Sequence, residues 1–294
     1  MNASHRGMTA REDDDLLDPA AIEKETPLIA WDRLSVVGFP EIGSTNDEAL
    51  KRARHGAPTG LLVFAEHQTA GKGRKGRSWI SPRESGLCFS LVVHPVSPRQ
   101  HWPLLSLLTS VAVARSVEDL ATLGTPRRPL RVDLKWPNDV LLSGKKVAGI
   151  LIETADSPGG SGAAVIGVGM NVGMDSVPPE LEGSATSVSR EAGAVVPRRP
   201  LLVSFLRHFQ HEYLLFERGE RQAILDHWKA ASSMWNGVRV RICEGDVCRE
   251  ATTCGLSDSG AIRVRLTDGS EETLMSADVS MRTDNQDDPE PEHE

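Results

Sequence analysis

The sequence predicts an α+β fold: a large mixed sheet flanked by helices, followed by a small β domain. Strand and helix patterns do not alternate regularly, which argues against a doubly wound parallel sheet. The apolar runs 140–142 and 146–153 are joined by the turn pair Ser143-Gly144, so we expect these strands to pair antiparallel. After Asn236 the pattern changes to short alternating strands separated by turns, which is typical of a small barrel or sandwich.

Local signals predict the elements one by one. Residues 44–55 begin with a capping residue and acids and end with basic residues before Gly56, as a short helix does. The run 86–93 is mostly apolar, which indicates a central strand. The other predicted strands are 61–66, 131–135, 163–172, 238–242, 260–266 and 272–275; the other predicted helices are 101–123 (long, largely buried and ended by Gly124), 200–217 and 220–230; and 173–199 is predicted as loop.

The net charge of −8 is concentrated at the two ends of the chain. Residues 1–25 carry −4 and residues 283–294 carry −6, so the remainder is close to neutral at +2. These polar, acidic ends predict disordered tails at 1–30 and 283–294, around a main domain at 31–235 and a small one at 236–282. A nucleic-acid-binding protein would usually show a broader basic face.

Two further features bound the location and the redox state of the chain. It has no apolar run of about 18 residues and no apolar signal segment near Met1, so we expect a cytoplasmic protein. The four cysteines are Cys88, Cys243, Cys248 and Cys254, and they lack the paired spacing of a zinc site. Reduced, partly buried thiols are predicted at all four positions.

The stretch from Gly71 to Ser78, G-K-G-R-K-G-R-S, is one residue away from a phosphate-binding P-loop. A P-loop needs a lysine where Arg77 stands and a helix directly afterwards, but Pro82 and a turn at 83–86 follow. A loop that contacts nucleic-acid phosphates and a solvated charged loop are two alternatives. The pattern favours a loop that folds over a small anion, because glycines allow close backbone approach and cations neutralise a carboxylate meeting phosphates. Formation of an acyl-adenylate is such a reaction.

Five motifs occur in order: S-T-N at 44–46, G-K-G-R-K-G-R-S-W at 71–79, K-W-P-N-D at 135–139, K-V-A-G-I-L at 146–151 and G-V-G-M-N at 167–171. Together they resemble the biotin protein ligase family, from about Asp32 to Met281. The resemblance implies a main domain like that of class II aminoacyl-tRNA synthetases and an SH3-like C-terminal barrel. Only about 30 residues precede the resemblance, which is too short for a DNA-binding winged helix, so we expect a ligase without repressor function.

The resemblance also assigns roles to residues. Lys146 would hold the biotin carboxylate and the α-phosphate together, with Arg74 and Asp139 as further catalytic candidates. Asp139 would assist metal binding or activate the acceptor lysine, or it simply forms a turn. The implied biotin-binding residues are Ser44, Thr45, Asn46, Gln68, Gly71, Lys72, Gly73, Arg74, Lys146 and Gly149. The implied ATP-binding residues are Arg77, Trp79, Lys135, Lys146, Asn171 and Arg282, with Mg²⁺ held through the phosphates and Asn171 as its candidate protein ligand.

Plainer interpretations stay open for several of these residues. Ser44 or Thr45 could be a helix cap, Gln68 an exposed loop residue and Trp79 a core residue. The family often has arginine at position 72. Lys72 keeps the positive charge but cannot make the two parallel hydrogen bonds of a guanidinium group.

The implied reaction joins biotin to ATP as biotinyl-5′-AMP and transfers it to a lysine of a biotin carboxyl carrier protein. We expect no DNA or membrane partner, and a monomer or a homodimer. The rival functions are a lipoate–protein ligase, which shares the chemistry, and a biotin-binding regulator without catalysis.

Overall fold

The computed structural model describes residues 15–121, 130–156, 162–244, 247–275 and 280–283. Its helices are α1 (Pro19–Glu25), α2 (Thr45–Arg54), α3 (Leu104–Glu118), α4 (Val188–Ala192), α5 (Arg198–Glu217) and α6 (Arg221–Ala230). The strands of the larger sheet are β1 (Ser35–Phe39), β2 (Leu61–Ala65), β3 (Gly86–Val93), β4 (Val132–Lys135), β5 (Asp139–Leu142), β6 (Lys145–Asp156) and β7 (Gly162–Asn171). The second sheet contains β8 (Asn236–Glu244), β9 (Val247–Leu256), β10 (Ile262–Leu266), β11 (Glu271–Leu274) and β12 (Ser280–Thr283).

The larger sheet is mixed, with the strand order β1-β2-β3-β7-β6-β5-β4. Strands β1 and β2 are parallel, and the other neighbours pair antiparallel. This arrangement confirms the predicted α+β class and the antiparallel turn at Ser143-Gly144. Strand β3 is buried along its whole length, as its apolar run predicted.

The two faces of this sheet are covered differently. Alternate residues of the central strands, such as Leu91 and Ile166, pack with α3, α5 and α6 in the main core. Val63, Val92 and Val165 point to the other face, where they pack against the short amphipathic helix α2 in a smaller cluster. Helix α2 covers only part of that face, and the remainder is open for a site.

The second sheet is antiparallel, with the order β11-β10-β9-β8-β12. It contacts the larger part of the molecule at Gly260, whose carbonyl accepts a hydrogen bond from the indole N–H of the buried Trp136 at 3.0 Å. Leu104 and Leu107 of α3 pack against the same glycine. The predicted small β domain is confirmed as an antiparallel sheet, and its SH3-like character stays a prediction.

Some predicted elements need correction. The tail predicted at 1–30 is wrong for residues 15–30, because Asp18 caps α1 and Ile22 is fully buried. The loop predicted at 173–199 contains the short helix α4, capped by Ser187 and ended by Gly193 in the left-handed region. Residues 1–14, Gly124 and the tail from 284 onward lie outside the described residues.

The prediction of four reduced thiols is wrong for two of them. Cys243 and Cys248 face each other across the β8–β9 pair and form a disulfide. Strand β9 was not predicted, so the sequence did not reveal that these residues are cross-strand partners. Cys88 is buried and free, Cys254 is half-buried and free, and no cluster of metal-ligating side chains occurs among the described residues. In the same described part of the chain, no helix has the length and apolarity needed to cross a membrane.

Candidate active site

A cavity of about 130 Å³ lies on the face of the larger sheet that α2 leaves partly open. Its walls come from the start of α2, the loop after β2, the β4–β5 turn, and strands β6 and β7. It is lined by most of the predicted site residues: Ser44, Thr45, Asn46, Gln68, Lys72, Gly73, Arg74, Arg77, Trp79, Asp139, Lys146 and Gly149.

Four predicted site residues lie elsewhere. Gly71 is at the root of the loop, where its carbonyl accepts from the Trp79 N–H at 2.9 Å. Lys135 ends β4 and pairs in register with Asp139. Asn171 ends β7 and is buried, and its amide donates to the Thr186 carbonyl at 3.2 Å. Arg282 lies on β12, and its side chain is outside the described part of the structure.

Glycines form the floor of the cavity. Gly149 of β6 pairs with Gly169 of β7, and the Trp79 indole lies across both. A Cβ atom on Gly169 would be 2.4 Å from the indole, so only glycine leaves room for this ring. The indole N–H is buried without a hydrogen-bond partner, and Lys146 Nζ lies 5.7 Å from the ring centroid. Trp79 therefore packs at the cavity rather than in the core.

Lys146 and Asp139 form an ion pair beside this floor. The distance from Lys146 Nζ to Asp139 Oδ1 is 2.6 Å, and both side chains are partly exposed to the cavity. Asp139 begins β5 directly after the W-P-N segment, and Lys146 lies on β6 opposite Leu141, so the antiparallel pairing of these strands brings the two side chains together. Lys145, by contrast, donates to the Glu182 carbonyl at 2.7 Å and does not line the cavity.

The glycine-rich loop closes on itself over the cavity. Gly73 donates its N–H to the Arg77 carbonyl at 2.7 Å, Lys72 bridges to Ser78, and Lys75 between them has a left-handed φ of 57°. Only one 3-10 turn, Arg74–Gly76, forms, and an extended segment rather than a helix leads to β3. The P-loop alternative is therefore excluded.

The cations of this loop are held in different ways. Arg74 donates to Asn138 Oδ1 at 3.0 Å, while its second terminal nitrogen is buried without a partner. Burial lowers the pKa of the Arg74 guanidinium, Arg77 lowers it further, and Asp139 opposes both. Lys72 is bonded to Asp47 at 2.5 Å, which raises the pKa of its ammonium group. The loop thus presents positive charge to the cavity, with one buried donor left for a ligand.

The start of α2 forms the opposite wall. The Thr45 N–H donates to Gln68 Oε1 at 2.8 Å, and this fixes the glutamine amide. Ser44 is the N-cap by position, yet its side chain makes no capping hydrogen bond although it is buried. Asn46 contacts Ser90 of β3 at 2.6 Å and Glu153 of β6 at 2.7 Å.

Sequence reasoning missed several residues of the site. Ser90 is the one hydroxyl in an otherwise apolar strand, Glu153 ends an apolar run, and Asn138 lies inside K-W-P-N-D. A polar residue in a buried strand is the signal that could have found Ser90 and Glu153.

Known proteins are similar to this chain in sequence. Residues 38–171 match the Biotin/lipoate A/B protein ligase family. The biotin–[acetyl-CoA-carboxylase] ligase of Mycobacterium tuberculosis is 39% identical over 215 residues, covering 72% of this chain and 75% of that protein. The bifunctional ligase/repressor BirA of Bacillus subtilis is 33% identical over 250 residues, covering 82% of this chain and 72% of that protein.

Solved structures agree with these relatives. A biotin protein ligase from Aquifex aeolicus in complex with biotin and ATP matches with a TM-score of 0.70 and 25% identity, over 84% of this chain and 98% of that one. The family match at 38–171 contains the residues that line the cavity described above. The chain therefore belongs to the biotin/lipoate A/B protein ligase family and is an enzyme of the biotin protein ligase type.

Proposed function

We propose that this enzyme uses Mg-ATP to activate biotin as biotinyl-5′-AMP and then biotinylates a lysine of a biotin carboxyl carrier protein. The observation that carries the proposal is the single cavity in which Lys146, Asp139 and Arg74 face the polar wall made by Thr45 and Gln68. The end of the cavity at Thr45 and Gln68 suits a neutral polar head group, and the end at Lys146 and Arg74 suits anions.

The first step needs two anions to meet. A carboxylate oxygen of biotin attacks the α-phosphorus of ATP, the bond to the β-phosphate oxygen breaks, and pyrophosphate leaves. A cation placed between the carboxylate and the phosphate stabilises the charge that develops there. Lys146 is the proposed cation because it lines the cavity, and Asp139 at 2.6 Å holds its ammonium group in place. Arg74 contributes its buried, unpartnered nitrogen as a second donor.

The nucleotide end is assigned to the loop and the adjoining strand ends. We propose that Arg77 and Lys135 contact phosphates, that Trp79 packs against the adenine, and that Asn171 and Arg282 lie at the outer limit of the site. Mg²⁺ arrives with ATP as part of the substrate, since it commonly binds through phosphates and few protein ligands.

In the second step the carrier lysine amine attacks the acyl carbon of biotinyl-5′-AMP. The acyl–oxygen bond breaks, AMP leaves, an amide forms, and the amine releases its proton. The relationship of the main domain to class II aminoacyl-tRNA synthetases, the SH3-like character of the second sheet and a monomeric or dimeric state all belong to this proposal.

The test is release of pyrophosphate with Mg-ATP and either biotin or lipoate, followed by mass spectrometry of a carrier domain. We expect release with biotin alone and a biotin-sized mass increase on one carrier lysine. Release with lipoate alone would favour the lipoate ligase, and release with neither acid would contradict the catalytic proposal.

Variants of the neighbouring residues Lys146 and Lys145 test which lysine takes part in the reaction. Lys146→Ala should lower the rate of pyrophosphate release at least about 100-fold, because it removes the charge that stabilises the transition state. Lys145→Ala should stay within about twofold of the wild type, since Lys145 bonds a surface carbonyl outside the cavity. Equal losses in both variants would show that Lys146 has no special role.

A further inference from the structure

A continuous chain of hydrogen bonds runs from the cavity wall across the sheet to a carboxyl group. Thr45 Oγ1 lies 2.8 Å from Ser90 Oγ, Ser90 Oγ lies 2.6 Å from Asn46 Oδ1, and Asn46 Nδ2 lies 2.7 Å from Glu153 Oε2. Thr45, Ser90 and Asn46 are almost completely buried, so water does not compete for these bonds.

The chemistry of the four groups fixes the direction of every bond. Glu153 and the Leu151 carbonyl, at 3.4 Å, both accept, so the Asn46 NH₂ group must face them and its Oδ1 must face Ser90. An amide oxygen cannot donate, so the single Ser90 proton is used on Asn46. Thr45 Oγ1 also lies 3.1 Å from Gln68 Oε1, but the shorter 2.8 Å contact between two hydroxyl oxygens needs a proton, so the Thr45 proton makes the bond to Ser90 and the Thr45 oxygen is left as an acceptor.

Gln68 is the other polar residue of this wall, and it offers a hydrogen-bond donor where Thr45 offers an acceptor. Its Oε1 accepts the Thr45 N–H at 2.8 Å and lies 3.1 Å from the Thr45 hydroxyl, so its NH₂ group is the part that remains for a ligand. The wall therefore offers one hydroxyl acceptor and one amide donor. A cyclic urea, with N–H donors beside a carbonyl acceptor, matches this pair of groups.

We propose that Glu153 is a specificity-determining positioning residue that sets the direction of this chain and so makes the Thr45 hydroxyl an acceptor for a ureido N–H. This inference rests on the proposed function. A ligand ring without an N–H, such as the dithiolane of lipoate, would leave the buried Thr45 oxygen unpaired, which disfavours its binding.

The backbone is built to accommodate the chain. A Cβ atom on Gly167 would lie 2.2 Å from Asn46 Oδ1, so glycine at this position is what allows the amide to lie flat on β7 between Ser90 and Glu153. Gly167 pairs with both Ser90 and Leu151 in the sheet, and Glu153 pairs with Val165 two residues away, which places the partners of Asn46 close together.

The experiment measures biotin and ATP binding separately by calorimetry on the full chain, together with thermal unfolding. Glu153→Leu removes the closer acceptor and leaves the Asn46 NH₂ group only the Leu151 carbonyl at 3.4 Å, so the Asn46 amide can turn over and the chain loses its direction. We expect biotin to bind about 10- to 100-fold more weakly, with ATP binding within about twofold of the wild type. Glu153→Gln keeps an acceptor oxygen and should retain biotin affinity within about threefold.

Two further variants separate positioning from a merely structural role. Ser90→Ala interrupts the chain, so adding Glu153→Leu to it should weaken biotin binding no further. Thr154→Leu changes the exposed neighbour on the other face of β6 and should leave biotin binding unchanged. If Glu153→Leu lowers only the unfolding temperature, or if its effect adds fully to that of Ser90→Ala, the inference is overturned. If the wild type itself fails to bind biotin, the proposed function falls as well.

Discussion

At the scale of single residues, the site depends on glycines, which have no Cβ atom, as much as on side chains. The Trp79 indole can lie across β6 and β7 only because Gly169 carries no Cβ, and a Cβ on Gly149 would be a tight 3.3 Å from the same ring. Gly169→Ala places a methyl group 2.4 Å from the ring, and the indole must leave its place. We expect the KM values for ATP and biotin to rise about tenfold or more, with little loss of stability, because the ring is at a cavity rather than in the core.

Steady-state kinetics with each substrate varied in turn would check this. Gly183→Ala is the control, since nothing lies within 4 Å of a Cβ there. Unchanged KM values in Gly169→Ala would mean that the position of the indole is irrelevant to binding.

The cysteines allow a second prediction at this scale. Burial raises the pKa of the Cys88 thiol to about 11, so the thiol stays protonated at pH 8 and resists alkylation in the folded protein. The unfolded thiol ionises from about pH 9, so the thiol's contribution to stability is complete below that pH and declines as the pH rises from about 9 to 11.

Mass spectrometry after iodoacetamide treatment at pH 8 is the measurement. Folded, unreduced protein should be modified first at Cys254, Cys88 should react only after unfolding, and Cys243 and Cys248 only after reduction. Rapid modification of Cys88 in the folded protein would contradict the burial argument.

At the scale of elements, the sequence predicted those with strong local signals. The apolar run of β3, the helix α2 and the Ser143-Gly144 turn were all predictable from residue patterns, although Ser44 at the start of α2 makes no capping hydrogen bond. Helix α1 was missed because its seven residues lie in an acidic segment, and only its packing through Ile22 reveals it. Strand β9 was missed because its burial is irregular, and the Cys243–Cys248 disulfide was missed with it.

The candidate site was predictable to a similar extent and for the same reason. Residues inside short motifs, such as Lys146 and Trp79, could be named from the sequence. Ser90 and Glu153 are 63 positions apart and become partners of Asn46 only when β3, β7 and β6 assemble. Long-range register determines such contacts, and no local pattern contains it.

A partly buried hydrogen bond from Arg74 helps to hold the glycine-rich loop over the cavity. Arg74 in the loop donates a hydrogen bond to Asn138 in the β4–β5 turn at 3.0 Å. The ion pair between Lys72 of the loop and Asp47 is half exposed, so it stabilises the loop by only on the order of 0–1 kcal/mol. Arg74→Ala should therefore loosen the loop over the cavity and raise the KM values for both substrates about tenfold or more, while the unfolding temperature changes little.

Arg83→Ala is the control for this variant. Arg83 pairs with Glu41 on the exposed side of the segment after the loop and does not line the cavity. If the KM values of Arg74→Ala match those of Arg83→Ala, the Arg74–Asn138 hydrogen bond does not hold the loop in place.

At the scale of the whole molecule, the two sheets are joined next to the catalytic motif. Trp136 of K-W-P-N-D is buried and donates its indole N–H to the carbonyl of Gly260, in the turn between β9 and β10. Leu107 of α3 packs against the same glycine. The Trp136 backbone N–H also contacts Met234 Sδ at 3.0 Å, just before β8 begins. The motif that supplies Asp139 to the cavity therefore also anchors the C-terminal sheet.

This junction leads to a stability prediction. Trp136→Phe keeps an aromatic ring but leaves the buried Gly260 carbonyl without its donor, which should lower the free energy of unfolding by about 1–3 kcal/mol. Trp235→Phe is the matched control, because that ring is only partly buried beside Lys229, and its loss should be smaller than about 1 kcal/mol. Urea unfolding followed by circular dichroism measures both. If the junction couples the sheets, wild-type protein unfolds in one transition and Trp136→Phe shifts its midpoint or splits it in two. An unshifted midpoint would show that the second sheet does not depend on this bond.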